Sequence, residues 1–481
     1  MAGRYLVHTF GCQMNVHDAD RMEEVLRAHG WTTASDVDEA DLIVLNTCSV
    51  REKAEQKLRS EVGKLAPLKT KNPELVLAVA GCVAQQEGEK LLQRVAHLDL
   101  VIGPDNVAEL PALVEDQIAG APPRARTVFD LDAPRFLAAA PRRGEAPVSA
   151  FVTTMKGCDE RCSFCIVPHT RGPERYRASE QIISEIARWV EAGTREVTLL
   201  GQTVDSYRDA SLPPPASDDP DESQFPALLR AIAERVPRLR RLRYTSPHPR
   251  HLTPSLVRAH AELDVLARHV HMPVQSGSDR VLKRMIRRYT SAEYKARVAA
   301  LEAARSDMTL STDIIVGFPG ETEQDFEATL DLVREVGFVG LFGFKYSPRP
   351  FTPALKLGDD VTEETKSERL ARLFEVAESQ TRAHLATLVG TTQRVLVEGP
   401  SKAAELVEGR TERNEIVHVE VAGASLDALT GEILEVEILR ANKHSLFARP
   451  TAPLALAPSG ARPLPRRRAL PLLSSHPKSD A

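Results

Sequence analysis

Residues 149–165 read SAFVTTMKGCDERCSFC, a short apolar, β-branched segment that predicts a strand and then three cysteines in a C-x3-C-x2-C run. This spacing lets one short loop hold three corners of a cubane iron–sulfur cluster and leaves its fourth iron without a protein ligand. A zinc site is the alternative, because His169 lies close enough along the chain to complete a Cys3His set. The stretch therefore predicts a metal-binding loop directly after a strand.

The pattern downstream of this loop alternates between helix and strand. An amphipathic segment at residues 178–193 precedes the strand REVTLLGQ at 195–202, and similar pairs continue as far as GLFGFKY at 340–346. Six or so β/α units in series predict a parallel sheet curved into a full or partial barrel, with functional groups at the strand ends. Each candidate there also fits an ordinary tight turn. The candidates are Gln202, Ser246, His248, Gln275 and Gly317 to Gly320.

The other three cysteines each end a short apolar segment. These segments are RYLVHTFGC, DLIVLNTC and ELVLAVAGC, which end at Cys12, Cys48 and Cys82, and amphipathic helical segments follow them. In an open parallel sheet, ligands gather beyond the carboxyl ends of the strands, so three cysteines far apart in sequence can converge there. The alternative is three buried core cysteines.

Composition limits the remaining possibilities. The 481 residues should hold two to four domains, and 42% hydrophobic residues suffice for ordinary cores. No apolar stretch approaches the roughly 20 residues that cross a bilayer, and the N-terminus lacks a secretory pattern, which predicts a cytoplasmic protein with reduced cysteines. The net charge of −5 gives no global attraction to nucleic acid, so any RNA contact would come from local patches. The arginine cluster at 238–250 is one candidate patch, and the alternative is an ordinary solvated face.

The predicted fold class is α/β, with an N-terminal open parallel α/β domain, a central partial (β/α)6 barrel and a small C-terminal β-barrel. The predicted boundaries are 1–122 for the first domain, 123–147 for a linker, 148–382 for the central barrel, 383–450 for the β-barrel and 451–481 for a disordered tail.

Several motifs resemble those of one enzyme family. MKGCDERCSFCIVPHTRG resembles the cluster loop of radical S-adenosylmethionine (SAM) enzymes, while TFGCQMN, LNTCSVREKA and AGCVAQQEGE are similar to the three cysteine motifs of the methylthiotransferases. LLGQTV, HMPVQSGSDRVLKRM, DIIVGFPGET and SPRPFTPA resemble further blocks of the same branch. The chain is thus identified as a member of the radical SAM methylthiotransferase family over residues 4–447. The GCQMN form resembles the branch that modifies isopentenyladenosine in tRNA more than the branch that modifies a ribosomal-protein aspartate.

The resemblance implies a function and its cofactors. It implies transfer of a methylthio group to carbon 2 of N(6)-isopentenyladenosine at position 37 of tRNA, with one SAM as methyl donor and a second as radical source. Two [4Fe-4S] clusters are implied, one held by Cys158, Cys162 and Cys165 and an auxiliary one held by Cys12, Cys48 and Cys82. For SAM, the implied contacts are Phe164, Gln202, Ser246, Gln275 and Gly317, and no protein acid or base is implied.

The resemblance also implies partners. The C-terminal strands resemble an RNA-binding TRAM domain, whose candidate RNA contacts are Arg410, Arg413 and Lys443. A flavodoxin-like electron donor, iron–sulfur assembly proteins and a monomeric state are implied as well. Two positions depart from the family pattern: Phe351 stands where glycine is usual, and His444 lies in a variant loop. The alternatives are another modified adenosine or a ribosomal-protein aspartate as substrate, or a non-catalytic iron–sulfur or RNA-binding protein.

Overall fold

The computed structural model describes residues 3–49, 52–132, 134–139, 141, 146–401, 406–421 and 428–452. Two compact units meet in sequence after Leu137. The tail predicted to be disordered, residues 451–481, lies outside the described residues from residue 453 onward. In the described part of the chain, no helix has both the length and the apolar character needed to cross a membrane.

The first unit is a six-stranded, fully parallel sheet with helices on both faces. Its strands lie in the order β2-β1-β3-β4-β5-β6. The strands are β1 (Arg4–Phe10), β2 (Thr32–Thr33), β3 (Leu42–Thr47), β4 (Val76–Gly81), β5 (Leu100–Ile102) and β6 (Arg124–Arg126). The helices are α1 (Gln13–Ala28), α2 (Glu52–Lys71), α3 (Cys82–Glu87), α4 (Glu89–Arg94) and α5 (Leu110–Ile118).

The central strands of this sheet are apolar throughout because both of their faces are covered. Leu42 and Val44 of β3 pack into a core with α1 and α5, whereas Ile43 and Leu45 pack into a second core with α2. Continuous apolar runs are typical of parallel strands buried on two sides. This burial sets the register, and the register aligns the strand ends.

The structure differs from the prediction where a linker was expected to begin. Residues 124–126 form β6, which pairs in parallel with β5 at the edge of the sheet. The segment RAR is short and charged, which suits an edge strand but carries no apolar pattern that would predict one. The limits of the other predicted domains stay predictions.

The second unit begins with a partial barrel of parallel strands. One sheet has the order β11-β10-β7 and the other the order β12-β13-β14, and a parallel bridge pairs Leu242 of β11 with Leu266, three residues before β12. The barrel strands are β7 (Ser149–Thr153), β10 (Glu196–Leu200), β11 (Arg241–Tyr244), β12 (His269–His271), β13 (Thr309–Val316) and β14 (Gly340–Lys345). Two short strands, β8 (Met155–Lys156) and β9 (Arg175–Tyr176), form a separate antiparallel pair. The helices are α6 (Val167–Arg171), α7 (Ser179–Ala192), α8 (Phe225–Arg235), α9 (Pro254–Glu262), α10 (Asp279–Arg284), α11 (Ser291–Ala304), α12 (Glu323–Val336) and α13 (Glu363–Thr387).

A small closed barrel follows α13, with strand order β15-β16-β17-β19-β18. Its strands are β15 (Thr392–Pro400), β16 (Leu406–Thr411), β17 (Ile416–Glu420), β18 (Ile433–Ala441) and β19 (Leu446–Pro450). Alternate residues such as Val395, Val397 and Val407 fill its interior, together with Leu385 from the end of α13. The predicted fold class is therefore confirmed, and closure of the barrel leaves no long unpaired edge.

Histidine 260 makes the stability of the second unit depend on pH. It is buried on α9, its Nε2 lies 2.7 Å from the Tyr244 hydroxyl, and its Nδ1 has no hydrogen-bond partner among the described residues. Burial lowers the pKa of His260 to about 3. The unfolded chain binds this proton near pH 6.5 and the folded chain does not, so stability present above pH 6.5 is lost as the pH falls toward 3.

We expect the free energy of unfolding to fall by ~2 kcal/mol between pH 7 and pH 5 through this one residue. His260→Gln keeps a group that bonds to Tyr244 but does not titrate, so its urea midpoint should fall less than that of the wild type over this interval. Equal declines in the two proteins would contradict the assignment.

Candidate metal centres and cofactor site

The cysteine run of the second unit forms a tight loop between β8 and α6. Cys158 and Cys162 are buried, Cys165 is partly buried, and all three are free thiols. The Cys158 amide donates to the Gly172 carbonyl at 3.1 Å, which closes the loop on itself. Gly157 has a φ of +73°, and a Cβ there would meet the backbone of Pro173, so only glycine fits this turn. The backbone therefore holds the three thiols in one place.

Two of these sulfur atoms have polar partners from distant parts of the chain, one just beyond the end of β10 and the other just after α10. The Cys158 Sγ lies 3.0 Å from the Thr203 hydroxyl, and the Cys162 Sγ accepts a hydrogen bond from Arg287 Nη1 at 3.2 Å. Burial raises the pKa of the Cys158 thiol well above its ordinary value, although the bond from Thr203 opposes this shift. Buried thiolates need a cationic partner, which an iron–sulfur cluster supplies, so the donor set fits such a cluster.

Arg287 is itself held in place on all sides. It donates to the Tyr289 hydroxyl at 2.9 Å and to the Pro273 carbonyl at 2.8 Å, in addition to Cys162. Burial opposes its charge, yet the neighbouring Tyr289 and Cys162 raise the pKa of Arg287 above the ordinary value. The guanidinium is therefore a permanent positive charge beside the cysteine loop.

The structure does not show the Cys3His zinc site that was the alternative to an iron–sulfur cluster. Among the described residues, no three His, Cys, Asp or Glu side chains converge closely enough to bind a single metal ion. In a cubane each cysteine binds a different iron, which spreads the sulfur atoms further apart than the ligands of one zinc ion. The His169 ring instead lies 5.6 Å from the Phe351 ring.

Phe351 has a φ of +66° and a largely exposed ring. Glycine adopts this backbone conformation without strain, which gives a physical reason for the glycine that is usual in the family at this position.

The predicted SAM contacts lie at successive strand ends of the partial barrel. Gln202, Ser246, Gln275 and Gly317 follow β10, β11, β12 and β13. Ser246 has a φ of 62° and Gln275 a φ of 73°, and left-handed backbone at residues other than glycine is typical of functional sites. Gly317 has a φ of +69°, and its amide donates to the buried Glu321 carboxylate at 2.7 Å. Phe164 packs against an apolar cluster that includes Met285 and Phe318.

Three buried polar atoms near this edge lack a hydrogen-bond partner among the described residues. They are Asp205 Oδ2, His248 Nε2 and Glu160 Oε2. Asp205 holds its place through Oδ1, which accepts from the His248 amide at 2.9 Å, while Glu160 pairs with Arg250 at 3.2 Å. Burial raises the pKa of Asp205 to about 7 and lowers that of His248 well below its ordinary value. A buried polar atom without a partner in the protein needs a water molecule, an ion or a ligand to bond to, and three such atoms at one edge fit a polar ligand there.

His248 is a strand-end residue that the sequence predicted. Four further polar residues of this edge were not predicted: Thr203, Asp205, Glu160 and Arg287. Thr203 and Asp205 follow the end of β10 by three and five residues, so a wider search beyond each strand end would have found them. Glu160 lies within the cysteine loop. No local signal separates Arg287 from the exposed Arg288 beside it.

The dispersed cysteines of the first unit lie at one edge of its sheet. Cys12 and Cys48 follow β1 and β3, and Cys82 begins α3 directly after β4. These three strands are neighbours, and their last residues Phe10, Thr47 and Gly81 lie side by side in register. Cys48 and Cys82 are buried. The register therefore brings together three cysteines that 36 and 34 residues separate.

Two buried asparagines connect the strand ends at this edge. Asn15 on α1 donates through Nδ2 to Asn46 Oδ1 at 3.3 Å, and Asn46 donates back to the Asn15 carbonyl at 2.7 Å. Asn15 Oδ1 also accepts from the Cys12 amide at 3.3 Å. Both side chains are fully buried. The pair therefore couples the backbone position of Cys12 to the end of β3.

Gly81 provides a test of this arrangement. Its φ is +89°, and an added Cβ would lie 2.4 Å from Asn46 Oδ1 and 2.6 Å from the Thr47 carbonyl. We expect Gly81→Ala to displace the asparagine pair and the Cys82 backbone, and to lower the iron content of the reconstituted protein from about eight to about four per chain. An iron assay measures the iron content per chain, and absorbance in the thiolate-to-iron charge-transfer bands measures the loss of the cluster.

Gly120→Ala is the matched control. Gly120 has nearly the same φ, +90°, but an added Cβ would meet no described atom within 4 Å. This variant should carry the backbone cost of about 1–3 kcal/mol and keep its iron. Equal iron contents in the two variants would mean that the asparagine pair does not support the cysteines.

The predicted RNA contacts of the C-terminal barrel lie in ion pairs. Arg413 contacts Glu415 at 3.2 Å, Arg410 contacts Glu398 at 3.4 Å, and the half-exposed Lys443 contacts Glu378 at 2.6 Å. Their proposed role in RNA binding thus depends on phosphates competing with these carboxylates.

Two arginines of the 238–250 cluster have structural roles. Arg241 and Arg243 are bonded to the buried Glu196, and they also donate to backbone carbonyls of residues 410–412. These contacts join the partial barrel to the small barrel within the second unit. The arginine cluster is therefore only partly available to solvent.

Successive parts of the chain match three known families. Residues 4–103 match the uncharacterized protein family UPF0004, residues 152–333 match the Radical SAM superfamily, and residues 386–451 match the TRAM domain. With the cysteine loop at the barrel edge, these matches define the class of protein as a radical SAM enzyme with a TRAM barrel, whose family uses a [4Fe-4S] cluster and SAM.

Relatives of nearly full length narrow this class. The chain is 66% identical over 495 residues to the tRNA-2-methylthio-N(6)-dimethylallyladenosine synthase of Sorangium cellulosum (strain So ce56), which covers 98% of this chain and 99% of the relative. It is 44% identical over 445 residues to the protein of the same name from Methylobacillus flagellatus, covering 92% and 98%. The chain belongs to the tRNA-2-methylthio-N(6)-dimethylallyladenosine synthase family, which confirms the predicted family.

A solved structure supports the fold independently. The radical SAM methyltransferase TsrM from Kitasatospora setae, with cobalamin and a [4Fe-4S] cluster bound, matches with a TM-score of 0.52 over 74% of this chain and 77% of that chain. The sequences are only 15% identical, so the match shows the fold alone.

Proposed function

We propose that this chain transfers a methylthio group to carbon 2 of N(6)-dimethylallyladenosine in tRNA. The observation that carries this proposal is the presence of two cysteine triads in one chain, one at the carboxyl ends of three neighbouring parallel strands and the other in a single loop after β8. A triad binds a four-iron cluster and leaves one iron open to a ligand that is not protein. Two open irons suit a reaction that needs both a radical source and a sulfur donor.

When bound, the clusters and SAM would supply three things: the sulfur atom, the methyl group, and the radical that removes the hydrogen of carbon 2. The residues of the chain bind and orient these groups. Cys158, Cys162 and Cys165 are the proposed ligands of the SAM-binding cluster, and Cys12, Cys48 and Cys82 those of the auxiliary cluster. Proposed SAM contacts are Phe164, Gln202, Ser246, Gln275 and Gly317.

The unpaired buried atoms support a SAM site at the barrel edge. SAM carries a positive ammonium and sulfonium group, which favours the ionised form of Asp205 and gives its Oδ2 a partner. His248 Nε2 and Glu160 Oε2 offer further polar contacts. We propose these three residues as additional SAM contacts, with Arg287 and Thr203 orienting the cysteines.

The proposed tRNA contacts of the small barrel are Arg410, Arg413 and Lys443. Lys443 has the most exposed side chain of the three, at 44%, compared with 23% for Arg410 and 16% for Arg413. Phosphate contacts made by these groups would weaken steeply with salt. The flavodoxin-like electron donor, the assembly proteins, the monomeric state and the cytoplasmic location stay predictions.

An anaerobic assay tests the proposed function. The protein is reconstituted with iron and sulfide and incubated with SAM, reductant and tRNA that either carries or lacks the dimethylallyl group. Mass spectrometry of the digested nucleosides should detect a methylthio product only with the dimethylallylated tRNA. Formation of 5′-deoxyadenosine without a modified nucleoside would refute the substrate, and absence of SAM cleavage would refute the chemistry.

A further inference from the structure

Helix α13 covers one face of strand β14, and the side chains on the other face of this strand are exposed. At the centre of β14, a Cβ on Gly343 would point at Leu370, Leu373 and Phe374 of α13, so alternate residues on this strand face α13. Phe342 and Phe344 therefore point to the opposite side, toward the interior of the partial barrel. This side lies away from the packed outer layer of helices.

These two phenylalanines are exposed on β14, the edge strand of its three-stranded sheet. The Phe342 side chain is 49% exposed and that of Phe344 is 36% exposed, whereas Ile314 and Val316 of the neighbouring strand are fully buried. Two adjacent exposed aromatic rings on a strand are unfavourable in water unless they bind something. A barrel interior of this kind is normally filled by its own side chains.

Polar groups lie beside the two rings. His271 on β12 places Nδ1 2.9 Å from the Ser311 hydroxyl and Nε2 3.4 Å from the Asp313 carboxylate. Asp313 lies directly opposite Phe342 in the register of β13 and β14, and the His271 ring contacts the Phe342 ring edge to face at 5.8 Å. We call Phe342, Phe344, His271 and Asp313 the aromatic face.

The aromatic face continues toward the cysteine loop. Ile315 lies opposite Phe344 in the strand register and packs against the apolar cluster that includes Met285 and Phe318. Phe164, which stands between Cys162 and Cys165, packs against the same cluster. A molecule bound on the aromatic face thus lies next to the loop of the proposed SAM-binding cluster.

We propose that the aromatic face binds the dimethylallyladenine base of the substrate, with Phe342 and Phe344 contacting the purine ring and the prenyl group and the His271–Asp313 pair bonding to the polar base edge. This inference rests on the proposed function. Single-stranded bases are recognised by stacking on aromatic side chains together with hydrogen bonds to their edges. A prenylated adenine combines a flat ring, an N6–H donor and an apolar tail. The two phenylalanine rings suit the flat ring and the tail, and the Asp313 carboxylate, held by His271, is an acceptor for the N6–H.

Binding of two RNAs to the reconstituted full chain tests this proposal. The probes are anticodon stem-loops that carry or lack the dimethylallyl group, and fluorescence anisotropy gives the ratio of their dissociation constants. We expect Phe342→Ala and Phe344→Ala each to weaken binding of the dimethylallylated RNA about tenfold, the effect of removing one stacking partner. Binding of the RNA that lacks the group should weaken less, because this RNA has no prenyl group to lose its contact with the rings.

Ile118→Ala is the matched control, since Ile118 is an exposed apolar residue of α5 in the first unit. It should leave both dissociation constants unchanged, and Phe342→Tyr should restore most of the preference. Thermal melting of each variant identifies any loss of folding. Asp313→Asn should weaken binding of both RNAs, because both carry the N6–H donor, and should leave most of the preference intact.

The outcomes separate the two proposals. A wild-type protein that forms no methylthio product and binds both RNAs equally refutes the proposed function. A wild-type protein that forms product and prefers the dimethylallylated RNA, while folded Phe342→Ala and Phe344→Ala variants keep the full preference, refutes the aromatic face alone. A preference lost only in these variants, and not in Ile118→Ala, supports it.

Discussion

Cys158→Ala should abolish both SAM cleavage and the methylthio product, whereas Cys48→Ala should abolish the product and leave SAM cleavage largely intact. The reason is that the two triads are built by separate elements: one by a single loop after β8, the other by three strand ends of the first unit. Loss of one ligand should cost each variant one cluster, so iron falls from about eight to about four per chain. Iron assay and 5′-deoxyadenosine quantification under anaerobic conditions measure both effects.

The two variants serve as controls for each other. Each should keep wild-type affinity for tRNA, since neither cysteine lies on the small barrel that carries the proposed RNA contacts. If Cys48→Ala also lost SAM cleavage while retaining four irons, the assignment of SAM cleavage to the Cys158 triad alone would be wrong. If both variants kept the full iron content, the cysteines would not be the cluster ligands.

Arg287→Gln should lower the reduction potential of the SAM-binding cluster by on the order of 100 mV. Arg287 places a buried positive charge 3.2 Å from Cys162 Sγ, and this charge favours the reduced, more negative cluster. A hydrogen bond to a charged group is worth ~1.5–3 kcal/mol, and for a one-electron couple 59 mV corresponds to a tenfold change in equilibrium. A redox titration followed by electron paramagnetic resonance measures the shift.

The titration is clearest in a chain that holds only one cluster. Replacing Cys12, Cys48 and Cys82 together with Ala provides that background. Arg288→Gln is the matched control, because Arg288 is exposed to solvent and its charge is screened, so this change should move the potential little. Arg287→Lys should restore part of the potential. An unchanged potential in Arg287→Gln with a full cluster would show that the guanidinium has only a structural role at Tyr289 and Pro273.

The metal centres were predictable because their signals are local. Cys158, Cys162 and Cys165 lie within eight residues, and Cys12, Cys48 and Cys82 each close an apolar run that predicts a strand. The rule that ligands gather at the carboxyl ends of parallel strands then predicts their convergence. The register of β1, β3 and β4 agrees with that prediction.

The surroundings of the centres were not predictable in the same way. Thr203 and Arg287 reach the cysteine loop from 45 and 125 residues away, and their partners depend on how the barrel closes. Ser246 and Gln275 adopt a left-handed backbone conformation although neither is glycine, so the residue types did not predict this conformation. Arg241 and Arg243 looked like a solvated patch, but they bond to Glu196 and to a loop 168 or 169 residues away.

The sequence by itself determined the two cysteine triads, the alternation of strands and helices in the two α/β domains and the family, because each depends on spacing and periodicity along the chain. Only the tertiary structure decided which polar groups surround the sulfur atoms and which face of β14 is open. Side chains on a strand alternate between two faces, and the sequence GLFGFK has apolar residues on both. The packing of α13 against Gly343 settles which face is covered, and it leaves Phe342 and Phe344 free to meet a substrate.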